Sequence, residues 1–414
     1  MYRTAPNHRR LSWRFLAGRV ARVIAGAGIL GTAALAAAGV APAGAAASPA
    51  SAATPLWIHI SAGQRFSCGI REGNTLWCWG SGDAGELGNG GNANETRPHQ
   101  ITFPTAGWTS VTAGYNHGCA IRAGGDLWCW GDNRFGALGI GPTNAEVSTP
   151  RQVTRPAAGG WASVGAGLDD TCAVRADTTL WCWGEDYDGQ LGVNRVTEIF
   201  RPRPVTTPAA DGWARVAVGP DHTCAVRTDS TLWCWGDDWA GQLGLDSTSD
   251  GHLPEQVISP ATDGWASVSA GAAHTCAVRT DGTLWCWGWN LFGQLGLGDA
   301  PDQELPAQVT SPAEDGWTQV ETGGEHTCAL RGHALWCWGH NAYGQLGIGG
   351  TTDQTLPRRV PVPTRRGWGL VTLGDHHTCA THTGHELWCW GENYHGELGI
   401  GGRVDQHRPQ QVAH

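Results

Sequence analysis

The sequence predicts an all-β protein, a seven-bladed β-propeller with four short antiparallel strands per blade. Three observations predict it. The pentapeptide Leu-Trp-Cys-Trp-Gly begins at Leu76, Leu127, Leu180, Leu232, Leu284, Leu335 and Leu387. A tryptophan opens every unit, at Trp57, Trp108, Trp161, Trp213, Trp265, Trp317 and Trp368, in steps of 51 to 53 residues. No part of the unit carries a helical hydrophobic period, and a repeat of about 50 residues built from short strands is the sequence signature of a propeller. The seven units run from Trp57 to about Val412 and leave no room for a further domain.

The strands follow from the consensus in order. The first is the Trp-x-x-Val segment ahead of an Ala-Gly pair. The second and third are clearest in "HTCAVRTDGTLWCWG", residues 274–288. There "TCAVR" and "TLWCW", rich in β-branched and aromatic residues, flank an Asp-Gly turn, which reads as a hairpin. The fourth is the Pro-x-Gln-Val segment after a polar loop. Blades stack face to face, so a strand with apolar residues at successive positions, such as "LWCW", suits burial on both sides.

The segments "GDNRFGALG" (131–139), "GWNLFGQLG" (288–296) and "GHNAYGQLG" (339–347) resemble the repeat of the regulator of chromosome condensation family. "AGAAHTCAV" (270–278) is similar to that family's second-strand start. The resemblance covers all seven units and implies a closed seven-bladed propeller, which the strand count reaches independently. A photoreceptor branch of the family carries a Gly-Trp-Arg-His-Thr motif. The corresponding stretches here are "GPDHT", "GAAHT" and "GGEHT", so the many tryptophans read as blade packing.

Each unit holds two cysteines: 68/78, 119/129, 172/182, 224/234, 276/286, 328/337 and 379/389. Around a short hairpin turn this spacing sets the two side chains opposite each other, close enough for a disulfide. Seven intra-blade bridges are therefore expected: Cys68–Cys78, Cys119–Cys129, Cys172–Cys182, Cys224–Cys234, Cys276–Cys286, Cys328–Cys337 and Cys379–Cys389. The alternative is fourteen buried thiols acting as small hydrophobes.

Bridges need an oxidising compartment, and the N-terminus points to one. Residues 1–22 are basic, 23–40 form an apolar run of small residues, and Ala43-Gly44-Ala45 and Ala50-Ser51-Ala52 offer small-residue cleavage sites. This is the pattern of a secretory signal peptide over residues 1–52, with a retained anchor as the alternative. Arg9-Arg10 resembles a twin-arginine export signal, without its usual continuation. The mature chain, 53–414, is expected outside the cell or at its surface, as a monomer with no stable membrane span.

Composition excludes several functions. All 27 basic residues are arginine, so there is no P-loop lysine, Schiff-base amine or lysine base. Six arginines and no acid lie in residues 1–52, which leaves 21 arginines against 37 acids in the body. Such a body repels phosphate backbones, and no nucleic-acid partner is expected. Exchange of guanine nucleotides with chromatin binding, the family's namesake activity, fits an exported, acidic, lysine-free chain poorly. There is no Gly-x-Ser-x-Gly or His-Glu-x-x-His motif, so the chain reads as a non-enzyme without cofactor or metal.

His117, His222, His274, His326 and His377 share one repeat position, held by Phe66 and Asp170 in units one and three. They read as structural, bonding to a neighbouring loop backbone, rather than as a metal ring. Meander connectivity puts the Ala-Gly-x-x-His loop and the Gly-x-Asn-x-x-Gly-Gln-Leu-Gly loop on one face. Its variable positions include Phe135, Tyr187, Trp239, Phe292, Tyr343 and Tyr394, with Trp289 nearby and Asp186, Asp188, Asp237 and Asp238 alongside. Aromatic side chains with polar neighbours suit a protein or glycan partner; the competing reading is that several only pack the loop. The expected function is an exported scaffold that binds an extracellular macromolecule, with a lectin-like glycan binder as the alternative.

Overall fold

In the computed structural model the described residues are 56–413, except 144–145, 157–158, 196, 313–314 and 364–365. The expected signal peptide, residues 1–52, lies outside them. The described part is seven four-stranded antiparallel sheets, each with its strands in sequence order. The fourth blade is representative, with strands Trp213–Val218, His222–Arg227, Leu232–Gly236 and Gly251–Gln256. No helix among the described residues is long and apolar enough to cross a membrane.

Burial of the third strand explains its unbroken apolar sequence. In Leu232–Gly236 the leucine, cysteine, second tryptophan and glycine are buried and only Trp233 is partly open. The cores lie between blades. Cys224, Val226, Leu232, Cys234, Leu243 and Val257 of one blade meet Trp265, Ala277 and Trp287 of the next. Within each blade the opening tryptophan packs against the second tryptophan of the pentapeptide, as in Trp213–Trp235 at 6.0 Å between centroids. In blade four the arginine that ends the second strand lies over the opening ring, with Arg227 5.1 Å from Trp213, whereas in blade three Arg175 lies over Trp181. The last blade substitutes His382, 4.7 Å from Trp368.

The final glycine of the Gly-Gln-Leu-Gly turn sets the distance between blades. At Gly244 φ is +74°, a conformation open mainly to glycine. A Cβ there would sit 2.8 Å from Nε1 of Trp287 in the next blade. The indole therefore lies flat against the turn and donates to the carbonyl of Gln242 at 2.9 Å.

All seven disulfides are formed and no cysteine is free. Paired cysteines face each other in register, as in Cys224↔Cys234. Their Cα atoms are 4.1 Å apart, the short, non-hydrogen-bonded class of antiparallel pair.

Each blade is one contiguous repeat, so no strand is exchanged to close the ring. Blade seven meets blade one through the bonds that join the other blades. Trp79 Nε1 donates to the Glu397 carbonyl at 2.8 Å, as does Ser67 Oγ at 3.0 Å. Ser67 Oγ also pairs with His377 Nε2 at 2.8 Å.

Candidate functional site

The repeat histidines are structural, but their partner is not the loop backbone that the sequence led us to expect. His274 Nε2 pairs with the Thr327 hydroxyl of the next blade at 3.0 Å. Thr327 Oγ1 in turn donates to the Gln294 carbonyl at 2.8 Å, which Trp338 Nε1 also reaches, at 2.9 Å. Imidazole, hydroxyl and indole thus share one relay where a repeat histidine is present, as also in His117–Thr171, His222–Thr275 and His326–Thr378. The two departures differ: Asp170 has no hydrogen-bond partner at either oxygen, although the next blade still offers Thr223. Where Phe66 replaces histidine, the next blade offers Gly118 in place of threonine. Burial pushes the relay imidazoles down, to about 4 for His222 and about 3 for His274, so they stay neutral.

On the loop face, one backbone bond recurs in every blade. The amide of the residue after Trp-Gly donates to the carbonyl of the residue before the repeat histidine. Examples are Asp237 to Asp221 at 2.8 Å, Trp289 to Ala273 at 2.8 Å and His340 to Glu325 at 2.9 Å. This bond brings two variable side chains together in each blade. Around the ring the pairs are Arg65/Ser81, Asn116/Asp132, Asp169/Glu185, Asp221/Asp237, Ala273/Trp289, Glu325/His340 and His376/Glu392. The ends of the first strands of all seven blades line a central cavity of about 300 Å3.

Blades three and four fill these positions with carboxylates. Burial, followed by neighbouring acids, raises Asp169 to about 6, Glu185 and Asp221 to about 7 and Asp237 to about 8. The face is thus an electronegative mouth whose acids are short of cations. A carboxyl group raised in the folded state binds more protons there than in the unfolded chain, where it titrates near 4. Its contribution to stability is complete below that value and is lost as pH rises through 6 to 8. The buried histidines act with the opposite sign, but only below about 6.5, where the unfolded chain protonates them. The urea midpoint is therefore expected to fall between pH 6.5 and pH 8 at fixed ionic strength. D221N/D237N should flatten that fall, and a rising midpoint would contradict the assignment.

The rim aromatics divide into two sets. Trp239, Trp289, Phe292 and Tyr343 form one ribbon over blades four to six and on to His376 of blade seven. Successive ring centroids are 5.9 Å apart for Trp239–Trp289, 5.5 Å for Trp289–Phe292 and 4.6 Å for Phe292–His340. Tyr343 then stacks on His376 at 4.9 Å. Trp239 is 55% exposed and Leu291, beside the ribbon, 70%. Phe135, Tyr187 and Tyr394 lie outside the ribbon. Phe135 is half-buried on blade two. Tyr187 donates its hydroxyl to Glu198 at 2.6 Å, and Tyr394 stands edge-on to His395 at 4.9 Å.

The loops that carry these side chains are held from below. In blade five the Leu295 amide donates to Asn290 Oδ1 at 3.0 Å, and the Phe292 amide to Gln294 Oε1 at 3.0 Å. The repeated asparagine and glutamine therefore fix the backbone and leave the variable side chains to vary. Sequence reasoning missed His340 and His376 as members of the ribbon. The signal available was a histidine at a variable position in each of two adjacent units on the same face.

Fold, closure and loop register decide the family. The chain belongs to the RCC1-like domain family. The RCC1-like domain matches residues 26–361, and regulator of chromosome condensation (RCC1) repeats match 370–397 and 385–414. The chain is 32% identical to the ultraviolet-B receptor UVR8 of Arabidopsis thaliana over 85% of its own length and 81% of the receptor's. It is 29% identical to the human E3 ubiquitin-protein ligase HERC2 over 82% of its own length, which is 7% of that far longer protein. Among solved structures, yeast RCC1 (Prp20) bound to Kap60 superposes with a TM-score of 0.74 at 21% identity. That match covers 87% of this chain and 85% of the other. In this RCC1-like chain, as in the family repeat, the glycine-rich loops build the frame and the variable positions carry what is particular to the protein.

Proposed function

We propose that this RCC1-like propeller is an exported, non-enzymatic scaffold that holds a protein partner on the loop face bearing Trp239, Trp289 and Phe292. One observation carries the reading. Of the 24 tryptophans, 21 occupy repeat positions and Trp13 lies in the N-terminal segment. The two that remain, Trp239 and Trp289, meet each other on the rim at 5.9 Å. A fold that already has its packing tryptophans gains nothing internal from two more, half in water. Aromatic anchors flanked by carboxylates match a partner that offers apolar side chains and arginine or lysine.

The ribbon occurs once around the ring, which favours a single docking site over the repeated subsites of a lectin. The seven bridges and the basic-then-apolar N-terminus both support export. W239A/W289A should leave folding intact, because neither ring is buried, and should weaken partner binding by about thirtyfold or more. Unchanged binding by the folded double variant would overturn the proposal.

A further inference from the structure

We propose that Glu325, His340 and His376 bind one divalent transition-metal ion of the zinc class, with Asp375 orienting His376. One donor atom from each of the three side chains lies within 4.8 Å of the other two. The closest approach, His340 Nδ1 to Glu325 Oε2, is 3.2 Å. A tetrahedral ion with bonds of about 2.0–2.2 Å has ligand edges of about 3.4 Å.

The hydrogen bonds around His340 set its tautomer. Gln345 Oε1 accepts from the Tyr343 amide at 3.0 Å, which fixes the orientation of that side-chain amide. Its Nε2 therefore faces His340 Nδ1, at 3.1 Å, and donates to it. Nδ1 is an acceptor, and it stands beside a carboxylate oxygen, another acceptor. Nδ1 has a single in-plane lone pair, so an ion bound to it and to the Glu325 oxygen takes the place of the Gln345 hydrogen bond.

His376 adds an independent observation. It is only 6% exposed, and its Nδ1 is buried without a hydrogen-bond partner. Its Nε2 lies 3.5 Å from Asp375 Oδ2, the carboxylate–histidine arrangement that orients imidazoles at metal centres. Phe292 packs on the His340 ring at 4.6 Å, and Tyr343 stacks on His376 at 4.9 Å. The backbone beneath is held by the recurring loop bond, His340 to Glu325 and Glu392 to His376, both 2.9 Å. Two imidazoles and a carboxylate suit zinc and its neighbours rather than calcium or magnesium, which take oxygen ligands. Three protein donors leave a fourth position for water or for a donor from another molecule.

The disulfide-intact protein is a clean subject for the test, because all its cysteines are paired and no thiol competes for metal. Titration with Zn2+ alone, followed by calorimetry, is expected to give one ion per chain. Co2+ should give the visible absorption bands of a four- or five-coordinate site, a signature that loosely held surface ions lack. E325Q and H376A should each weaken binding at least tenfold, and D375N by less. H252A, which removes an exposed histidine outside the site, should change nothing. Thermal midpoints of the metal-free variants establish that each is folded, and E325Q, nearly isosteric, guards against loss of fold in H376A. Failure to bind Zn2+ stoichiometrically, or equal binding by wild type, E325Q and H376A, would overturn the site. The proposal stands apart from the partner reading, since these titrations use no partner.

Discussion

Reduction of the seven disulfides is expected to unfold this protein at 37 °C. Each bridge closes a hairpin of nine or ten residues' separation. A loop of that size removes about 2–3 kcal/mol of chain entropy from the unfolded state per bridge. Seven such terms sum to on the order of 15 kcal/mol, at or above the roughly 5–15 kcal/mol by which domains are stable. C224S/C234S, which opens one bridge, should lower stability by about 2–3 kcal/mol and leave the fold intact. The check is urea denaturation with and without a phosphine reductant, with thiols counted by alkylation. A fully reduced chain with an unchanged midpoint would show that the bridges are not staples.

The second large effect is at the glycine that ends the third strand. Gly236 has φ of +108°, a region essentially closed to other residues. A Cβ there would lie 2.5 Å from the Asp221 carbonyl oxygen and 2.7 Å from the His222 Cα. Both are backbone atoms, so no side chain can swing away. G236A is expected to cost about 3 kcal/mol or more, among the larger effects of single substitutions. Gly350 provides the control. A Cβ there meets nothing within 4 Å, and G350A should stay within about 0.5 kcal/mol of wild type. Equal effects of the two substitutions in a denaturation series would refute the geometric argument.

The blades were legible because each residue type in the repeat answers a local demand. Leu232, Cys234 and Trp235 must be buried on both faces of a strand, and the ten-residue spacing of Cys224 and Cys234 fixes the hairpin register. The division of loops between faces follows from a meander and needs no coordinates. The candidate site was only partly legible. Trp239 and Trp289 stood out because they break the repeat. His340 and His376 did not, because neither is unusual on its own. Their meeting depends on the backbone bond that pairs Glu325 with His340, and on the step between blades that brings His376 beside them. Tyr394 and Tyr187 share the repeat position of Trp239, yet Tyr187 turns to Glu198 and Tyr394 to His395. Position in the repeat gives the face, and the identity of the neighbours in adjacent blades decides whether aromatics join.

The measurement that tests the account most directly compares the two faces of the propeller in the protein's own host. A photo-reactive benzoylphenylalanine is placed at Trp289 in one strain and at Phe103 in another. Phe103, 64% exposed, lies in the link between blades one and two, on the face opposite the ribbon. After irradiation, the exported fraction is analysed for cross-linked species. The account expects one discrete protein adduct at position 289, absent at 103 and lost when W239A is added. Adducts at 103 but none at 289, or a chain confined to the cytosol with free thiols, would contradict it.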